Sequence, residues 1–222
     1  MKANTEADTS AIQLQNAVVA PAGYPALAGA SLEVRTGELV ALRGVNGAGK
    51  STLLRLCAGL APLARGSARV FGVDLAADRD AVRRSVGFVG HRNGLYGELT
   101  ARENISFVAD LVGASRDEVT EVLEVFGLGG RLAETRANAL SAGQRRRTAL
   151  ATLAIRRARL WLLDEPHAAL DARARQQLER VLLQATQAGV TVVFTTHEPH
   201  TDGRLPMRTI TLDAGRVVSD HA

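Results

Sequence analysis

The amino-acid sequence predicts an α/β domain with a mostly parallel core sheet, an antiparallel β edge and an inserted helical subdomain. Three observations support this prediction. Short apolar runs alternate with helical patterns, which is typical of a parallel sheet covered by helices. The first segments of the chain instead alternate apolar and polar residues with no helix between them. A long helical stretch, at about residues 91–157, interrupts the succession of strands.

Length and composition fit this fold class. The 222 residues suit one domain over residues 1–222, and hydrophobic and charged fractions of 46% and 23% exclude a disordered or fibrous chain. No uncharged apolar run reaches the roughly 18 residues that a membrane span requires, and the polar start lacks the apolar stretch of a secretory signal. We therefore expect a cytoplasmic protein with a flexible tail at residues 1–10.

Charge and cysteine content narrow the class of partner. The formal net charge of +4 suits nucleic acid, an anionic membrane surface or phosphate ligands. Aromatic residues make up only 4% of the chain and are not interleaved with basic residues, which argues against base stacking and therefore against a nucleic-acid partner. The single cysteine, Cys57, excludes a disulfide within the chain and a paired-cysteine metal site.

The individual elements follow from apolar periodicity and from turn residues. Residues 11–20 and 31–34 alternate like half-exposed strands around a Gly/Pro-broken connection, and they form the antiparallel edge. Residues 38–42 are a short apolar strand that leads through a glycine-rich turn to a helix at 50–58. Further strands, largely parallel because helical patterns separate most of them, are predicted at residues 68–71, 86–89, 160–163 and 190–195. Residues 207–212 and 216–218 form a closing hairpin.

Two capping boxes predict helix starts inside the helical stretch. They are Thr100-x-x-Glu103 and Ser115-x-x-Glu118, each followed by an apolar-periodic run. The arginines at positions 145–147 and 156–157 are predicted to lie on solvated helix faces.

A phosphate-binding loop lies directly after the strand at 38–42. The pattern G-x-x-x-x-G-K-[ST] is satisfied, and glycines there let backbone N–H groups converge on phosphate oxygens at a helix start. Lys50, which is the only lysine besides Lys2, is expected to reach the β- and γ-phosphates, and Ser51 to offer its hydroxyl to Mg²⁺. The predicted phosphate-binding residues are Gly44, Val45, Asn46, Gly47, Ala48, Gly49, Lys50, Ser51 and Thr52.

A pair of acidic residues follows the buried strand at 160–163. In parallel α/β sheets, ligands bind at the carboxyl ends of strands, which is where Asp164 and Glu165 lie. Asp164 is therefore a candidate Mg²⁺ ligand beside Ser51, and Glu165 a candidate base for the water that attacks the γ-phosphate. An acidic turn without chemistry is the alternative, and the phosphate loop upstream argues against it.

A third motif makes a family resemblance specific. Leu140, Ser141, Ala142, Gly143 and Gln144 precede a helical run and resemble the LSGGQ signature of ATP-binding-cassette (ABC) ATPases. Asp164-Glu165-Pro166 followed by Ala169-Leu170-Asp171 resembles their Walker B motif and D-loop, and His197, after a strand, resembles their switch histidine. The order and spacing of these motifs match from about residue 11 onward.

The resemblance implies an ABC-type ATPase with ATP and Mg²⁺ as cofactors. It also implies a head-to-tail dimer, in which ATP lies between the phosphate loop of one copy and Ser141, Gly143 and Gln144 of the other. Asp171 would contribute a D-loop contact and His197 a catalytic one. A separate integral membrane permease would be the other partner, which would hold the chain on the inner face of the cell membrane.

The sequence departs from the general ABC pattern at several positions. Where most of these ATPases carry a glutamine that touches Mg²⁺ and the attacking water, this chain has Gly90 and His91. Segments 89–95 and 98–104 are similar to the ATPase subunit of the cytochrome c maturation haem exporter, so His91 is expected to perform the task of the glutamine. Whether Tyr24 stacks on adenine stays open, since Pro21 occupies the usual position of the aromatic residue. Ala168 stands where serine or threonine is usual.

The sequence leaves alternative interpretations open for some residues and for the function. Leu95 and Tyr96 would border the groove for a permease helix, or they would pack inside the domain. His167 and His200 are not expected to bind metal, because nothing else completes a ligand set. The favoured function is haem export for cytochrome c maturation. The alternatives are an exporter of drugs, lipids or polysaccharides, a soluble ABC ATPase of translation or repair, and a module that binds ATP without hydrolysing it.

Overall fold

The computed structural model describes residues 10–196 and 206–221. Residues 1–9 of the predicted tail, His197 and His200 lie outside the described residues, whereas Ser10, which the prediction placed in the flexible tail, is buried at the start of the first strand. In the described part the strands are β1 (Ser10–Val19), β2 (Leu27–Arg35), β3 (Leu39–Arg43), β4 (Arg65–Val70), β5 (Val73–Asp74), β6 (Val86–Val89), β7 (Leu160–Leu163), β8 (Thr191–Thr195), β9 (Arg208–Asp213) and β10 (Arg216–His221). The α-helices are α1 (Lys50–Cys57), α2 (Arg79–Ser85), α3 (Ala101–Val112), α4 (Arg116–Val125), α5 (Ala142–Ile155) and α6 (Ala172–Gln187).

The first strands form an antiparallel sheet in the order β2-β1-β4-β5. The predicted antiparallel edge is therefore confirmed, but β2 begins four residues earlier than expected, because residues 27–30 also pair with β1 across two register shifts. The strand predicted at 68–71 begins at Arg65 and pairs antiparallel with β1. The prediction that this strand belongs to the parallel sheet was wrong, because after α1 the chain returns to the antiparallel sheet.

The second sheet is the parallel core, in the order β10-β9-β3-β8-β7-β6. Its strands are parallel except β10, which forms the predicted closing hairpin with β9. β7 and β8 are buried along their whole length. Register pairs Val89 with Leu163, Leu163 with Phe194, and Leu42 with Thr195. The carboxyl ends of β3, β6, β7 and β8 therefore lie at one edge.

The helical stretch consists of α3, α4 and α5, with capping boxes at Thr100 and Ser115 as predicted. Helix begins at Ala101, although the pattern suggested a start near residue 91. Asn104 explains the difference: its side chain accepts a hydrogen bond from the backbone N–H of Tyr96 and donates to the carbonyls of Tyr96 and Leu99. These bonds hold the preceding segment as a loop. The division of this stretch into a subdomain of its own remains a proposal.

Two hydrophobic cores lie on the two faces of the parallel sheet. Because side chains alternate along a strand, Val40 and Leu42 of β3 join the core shared with the antiparallel sheet and α1, whereas Leu39 and Ala41 join the core under α3 to α6. Cys57 lies fully buried in the first core, and burial raises the pKa of its thiol to about 12. In residues 10–196 and 206–221, none of the helices has the length and apolar character needed to cross a bilayer.

Candidate functional site

The loop between β3 and α1 is shaped by glycines that no other residue could replace. Gly44 has a φ of 141°, and a Cβ there would lie 2.2 Å from the carbonyl oxygen of Leu212. Gly49 has a φ of 100°, and its Cβ would lie 2.5 Å from the carbonyl oxygen of Ala26. The loop therefore needs glycine at both positions to reach the start of α1, and N–H groups at a helix start that follows a glycine-rich loop are a typical binding site for phosphate.

Lys50 places its ammonium group inside this loop. The side chain is only 6% exposed, and Nζ donates hydrogen bonds to the carbonyls of Gly44 at 2.8 Å and Val45 at 3.0 Å. Burial lowers the pKa of Lys50, while the nearby carboxylates of Glu165 and Asp164 act in the opposite direction. A phosphate group in the loop would therefore meet a positive charge that is partly stripped of water.

Ser51 and Asp164 meet across 113 residues of sequence. The hydroxyl of Ser51 donates to Oδ1 of Asp164 at 3.0 Å, and the hydroxyl of Thr195 donates to the same oxygen at 2.9 Å. Asp164 is 7% exposed. Hydroxyl and carboxylate oxygens are the ligand types that Mg²⁺ takes from proteins, with phosphate and water completing its shell. The residues present thus fit the magnesium site that the sequence predicts.

Glu165 has an unusual backbone conformation. Its φ is 51°, in the left-handed region, which costs a non-glycine residue roughly 1–2 kcal/mol. Its N–H donates to the hydroxyl of Thr195 at 2.8 Å, which helps to hold this conformation. The half-buried residue borders a cavity of about 220 Å³ together with His91, Asn93, Ala142, Arg146, Asp164, Ala168 and Ala169. Strain of this kind clusters at functional sites.

The predicted signature forms the start of α5. Ser141 is the N-cap: its hydroxyl accepts from the N–H of Gln144 at 3.2 Å, and Oε1 of Gln144 accepts from the N–H of Ser141 at 2.8 Å. Ser141 and Ala142 are exposed. A Cβ on Gly143 would lie 2.6 Å from the carbonyl oxygen of Ala169 in the same chain, so position 143 requires glycine, whereas position 142 accepts the methyl group of alanine. The helix start is thus presented to solvent.

Arg146 corrects the prediction of a solvated arginine run. It is 5% exposed and donates from Nη1 to the carbonyl of Gly90 at 2.7 Å and to Oδ1 of Asn93 at 3.1 Å, and from Nη2 to the carbonyl of Asp164. Arg145 and Arg147 are half-buried and donate to backbone carbonyls. Arg156 and Arg157 are exposed as predicted, but they follow the end of α5 at Ile155 and do not lie on a helix face. Sequence reasoning missed Arg146, although three consecutive helical residues point about 100° apart and cannot share one solvent face.

The other residues that the sequence predicted for the site lie in several parts of the fold, and His197 lies outside the described residues. His91 follows β6 and is exposed beside the cavity that Glu165 borders. Asp171 caps α6, accepting a hydrogen bond from the N–H of Ala174 at 2.8 Å. Tyr24 is 82% exposed between β1 and β2, which leaves its side chain available for stacking. His197 is beyond the part that the structure describes; β8, which precedes it, ends at Thr195. Buried His167 packs edge-on against the ring of Phe194.

Comparison with known proteins decides the family. The family model described as ABC transporter matches residues 27–168, well over half of the chain. The chain belongs to the ABC transporter family. It is therefore an ATP-binding cassette, an enzyme that hydrolyses ATP, and the predicted fold class and activity are confirmed. The roles of its individual residues remain predictions.

Relatives and a solved structure extend the comparison. Two proteins named cytochrome c biogenesis ATP-binding export protein CcmA are similar to this cassette. The one from Salmonella typhi is 41% identical over 84% of this chain and 89% of its own, and the one from Bordetella bronchiseptica is 42% identical over 75% of each chain. A dimeric ATP-binding cassette in a post-hydrolysis state, bound to ADP and Pi, superposes with a TM-score of 0.84 at 28% identity, covering 95% of this chain and 97% of that one.

Proposed function

We propose that this cassette is the ATP-hydrolysing subunit of a haem exporter that serves cytochrome c maturation. The observation that carries the proposal is the identity of about two fifths, over most of the chain, to cytochrome c biogenesis export proteins. His91 in place of the usual glutamine supports the same subfamily. In the proposed cycle two copies close on ATP and drive a separate integral membrane permease, which places the cassette at the cytoplasmic face of the membrane.

The phosphate loop holds the triphosphate in this proposal. Backbone N–H groups of residues 44–52 and the buried ammonium of Lys50 bind the β- and γ-phosphates. Ser51 and Asp164 would hold Mg²⁺, directly or through a water, since their oxygens already lie 3.0 Å apart. When bound there, Mg²⁺ neutralises charge on the phosphate oxygens.

Glu165 and His91 act on the attacking water. Glu165 follows directly after the proposed magnesium ligand, so its carboxylate is placed to accept a proton from a water at the γ-phosphate. His91 borders the same cavity and offers a ring nitrogen that orients that water or the metal. His197, by its resemblance to the switch histidine, is proposed to support the γ-phosphate.

The second half of each ATP site comes from the other copy. The exposed N-terminus of the 14-residue helix α5 carries unpaired N–H groups and a positive dipole end, both of which favour a γ-phosphate arriving from outside. Ser141, Gly143 and Gln144 are the proposed contacts, with the Asp171 segment bordering the interface. The dimeric state of the similar solved cassette supports this arrangement.

A groove beside the active edge is the proposed contact for the permease. It has a volume of about 260 Å³ between β6, α3 and α5, and Tyr96 and Phe107 line it. These two rings are 57% and 48% exposed and contact each other edge to face at 5.5 Å. Leu95 also lines the groove, but it is half-buried and packs against the core, whereas Tyr96 is exposed, so we assign the contact role mainly to Tyr96. Exposed apolar rings around a concave surface suit an apolar helix.

Complementation tests the proposed cargo. In a bacterium that lacks its own cytochrome c biogenesis ATP-binding export protein, and that is supplied with this cassette and a membrane protein that co-purifies with it, covalent haem on c-type cytochromes should return. The Lys50→Ala variant, expressed at the same level, should not restore it. A wild-type chain that hydrolyses ATP and co-purifies with a membrane protein, yet leaves cytochromes c without haem, would assign the cassette to an exporter of another cargo.

A further inference from the structure

Arg146 connects the ends of two neighbouring strands past the point where their ladder stops. The last ladder bond between β6 and β7 runs from the N–H of Asp164 to the carbonyl of Val89 at 2.8 Å. Beyond it, the carbonyls of Gly90 and Asp164 accept hydrogen bonds from Nη1 and Nη2 of the one guanidinium group. Two loops that are distant in sequence are thereby fixed to the same side chain.

Each of these carbonyls belongs to the residue directly before one of the two side chains that are proposed to act on the attacking water. Gly90 is followed by His91 and Asp164 by Glu165. The peptide between Asp164 and Glu165 is held at both ends, because its carbonyl accepts from Arg146 and its N–H donates to the hydroxyl of Thr195. The orientation of this peptide determines where the strained Glu165 points its carboxylate.

Packing alone does not explain why an arginine occupies position 146. A guanidinium that is 5% exposed is costly to bury, and its Nε makes no hydrogen bond in the described structure. Its charged neighbours are Asp164 and Glu165 themselves, which partly offset the effect of burial. An apolar or amide side chain would fill the space at lower cost but would not reach two carbonyls in different loops.

Arg146 also ties both loops to α5, whose first turn is the proposed contact with the ATP of the other copy. We infer that Arg146 is a positioning residue, which holds His91 and Glu165 in register with α5 so that docking of this helix on the partner copy's ATP aligns the base of its own site. The inference rests on the proposed function, in which Glu165 is the base.

Substitution of Arg146 should lower turnover without weakening ATP binding. Arg146→Gln loses the two-carbonyl bridge and is expected to reduce kcat by roughly 10- to 100-fold, since small misplacements of catalytic groups cost about that much. The KM for ATP should change by less than about threefold, because Arg146 is not expected to touch the nucleotide. Arg146→Lys keeps the positive charge but is expected to reach only one of the two carbonyls. Its kcat should therefore lie between that of the wild type and that of Arg146→Gln.

Arg147→Gln is the matched control on the same helix. Arg147 also donates to two backbone carbonyls, those of Phe126 and Gly127, but these do not belong to the proposed site. Its loss of kcat should stay within about threefold, and both variants should be compared at equal folded fraction by thermal melting.

A Glu165→Gln background separates positioning from a merely structural role. With the base absent, adding Arg146→Gln should lower the residual turnover by a much smaller factor than in the wild type, and ATP should still trap the dimer. Wild-type kcat in Arg146→Gln, or the same loss in both backgrounds, would overturn the inference. If Arg146→Gln does not fold, Arg146→Lys decides: wild-type kcat overturns the inference, and a lower kcat at unchanged ATP affinity supports it. Wild-type turnover in Glu165→Gln alone would instead refute the proposed base.

Discussion

Glu165 is the residue on which hydrolysis is expected to depend most. Glu165→Gln removes the proposed base but keeps the shape of the side chain, so turnover should fall by roughly 10² or more while ATP binding is retained. Unable to complete hydrolysis, the variant should accumulate as an ATP-bound dimer, which size-exclusion chromatography with and without ATP would detect. Glu121→Gln, a change at an exposed glutamate on α4, is the matched control and should match the wild type. Hydrolysis at the wild-type rate in Glu165→Gln contradicts the assignment.

His91 is the residue that distinguishes this cassette from the general ABC pattern. His91→Gln should preserve turnover, because an amide can meet water or Mg²⁺ as a ring nitrogen does, whereas His91→Ala should lose the stimulation of ATPase by the membrane partner. ATP binding through Lys50 should be unchanged in both. The measurement is the ratio of ATPase rates with and without the co-purified membrane complex, and Arg92→Ala, exposed in the same loop, is the control. A stimulated rate in His91→Ala equal to wild type would make His91 an ordinary loop residue.

At the scale of elements, the groove between β6, α3 and α5 should transmit the state of the cassette to the membrane. Replacing both Tyr96 and Phe107 by serine is expected to abolish membrane-stimulated ATPase while leaving the basal rate unchanged, since both side chains are about half exposed and neither belongs to the proposed catalytic set. Leu111→Ser is the control, because Leu111 is 73% exposed on the same helix but does not line the groove. Stimulation that survives in the double variant, or is lost equally in Leu111→Ser, contradicts a docking role.

The closing hairpin provides a prediction of pH-dependent stability. Arg208 donates from two nitrogens to the carboxylate of Asp220, at 2.6 Å each, and contacts Glu38 of the neighbouring segment at 3.0 Å. The hydrogen bond from Arg208 lowers the pKa of Asp220. A lowered pKa means that the carboxylate stabilises the fold above the pKa of the unfolded chain, near 4, and that this contribution is lost as pH falls through the folded value.

Asp220→Asn should therefore lower Tm modestly at neutral pH, by the equivalent of roughly 1 kcal/mol or less because the pair is partly exposed. The difference in Tm from wild type should hold from pH 7 to about 5 and shrink below about pH 4. Asp213→Asn, at an exposed position in the same hairpin, is the control. A difference that grows toward acid pH would contradict the assigned role of the pair.

At the scale of the whole molecule, each ATP site should need two copies. Lys50→Ala disables the phosphate loop, and Ala142→Asp places a negative charge where the γ-phosphate of the other copy is expected. Asp at the first helical position suits the helix dipole, so Ala142→Asp should fold. Substitution of Gly143 would not test the shared site cleanly, since any side chain introduced there would press on Ala169 of the same chain.

Each homodimer of these variants should be inactive, but a heterodimer contains one site with both defects and one with neither. An equal mixture should recover about a quarter of wild-type ATPase if copies pair at random and sites act independently. The Lys50→Ala variant mixed with Arg157→Ala, a change at an exposed position, shows the recovery expected without a signature defect. Absence of recovery, with heterodimers confirmed by mass, would contradict independently acting shared sites.

The parts of this molecule that could be predicted from the sequence are those whose residues lie close together along the chain. The phosphate loop, the acidic pair and the signature each lie within a few consecutive residues, so spacing alone located them. Contacts across long sequence separations were missed: the start of β2 depends on pairing with β1, the loop before α3 depends on the side chain of Asn104, and Arg146 depends on carbonyls 56 and 18 residues away. The sequence hints at such a contact only where a local pattern conflicts with helix geometry. The run of three arginines is an example, because three consecutive helical residues cannot all face solvent.

The buried thiol of Cys57 makes this cassette convenient for spectroscopy. Its raised pKa of about 12 keeps it protonated at working pH, and its side chain is fully covered, so maleimide reagents should leave the native chain unlabelled. Because Cys57 is the only cysteine, one introduced at an exposed position away from the proposed site, such as Ala188, would carry a single fluorophore or spin label without removal of the native residue. Two such labels in one dimer would report the distance between copies as ATP binds and is hydrolysed, which turns a packing detail of the core into a direct view of the transport cycle.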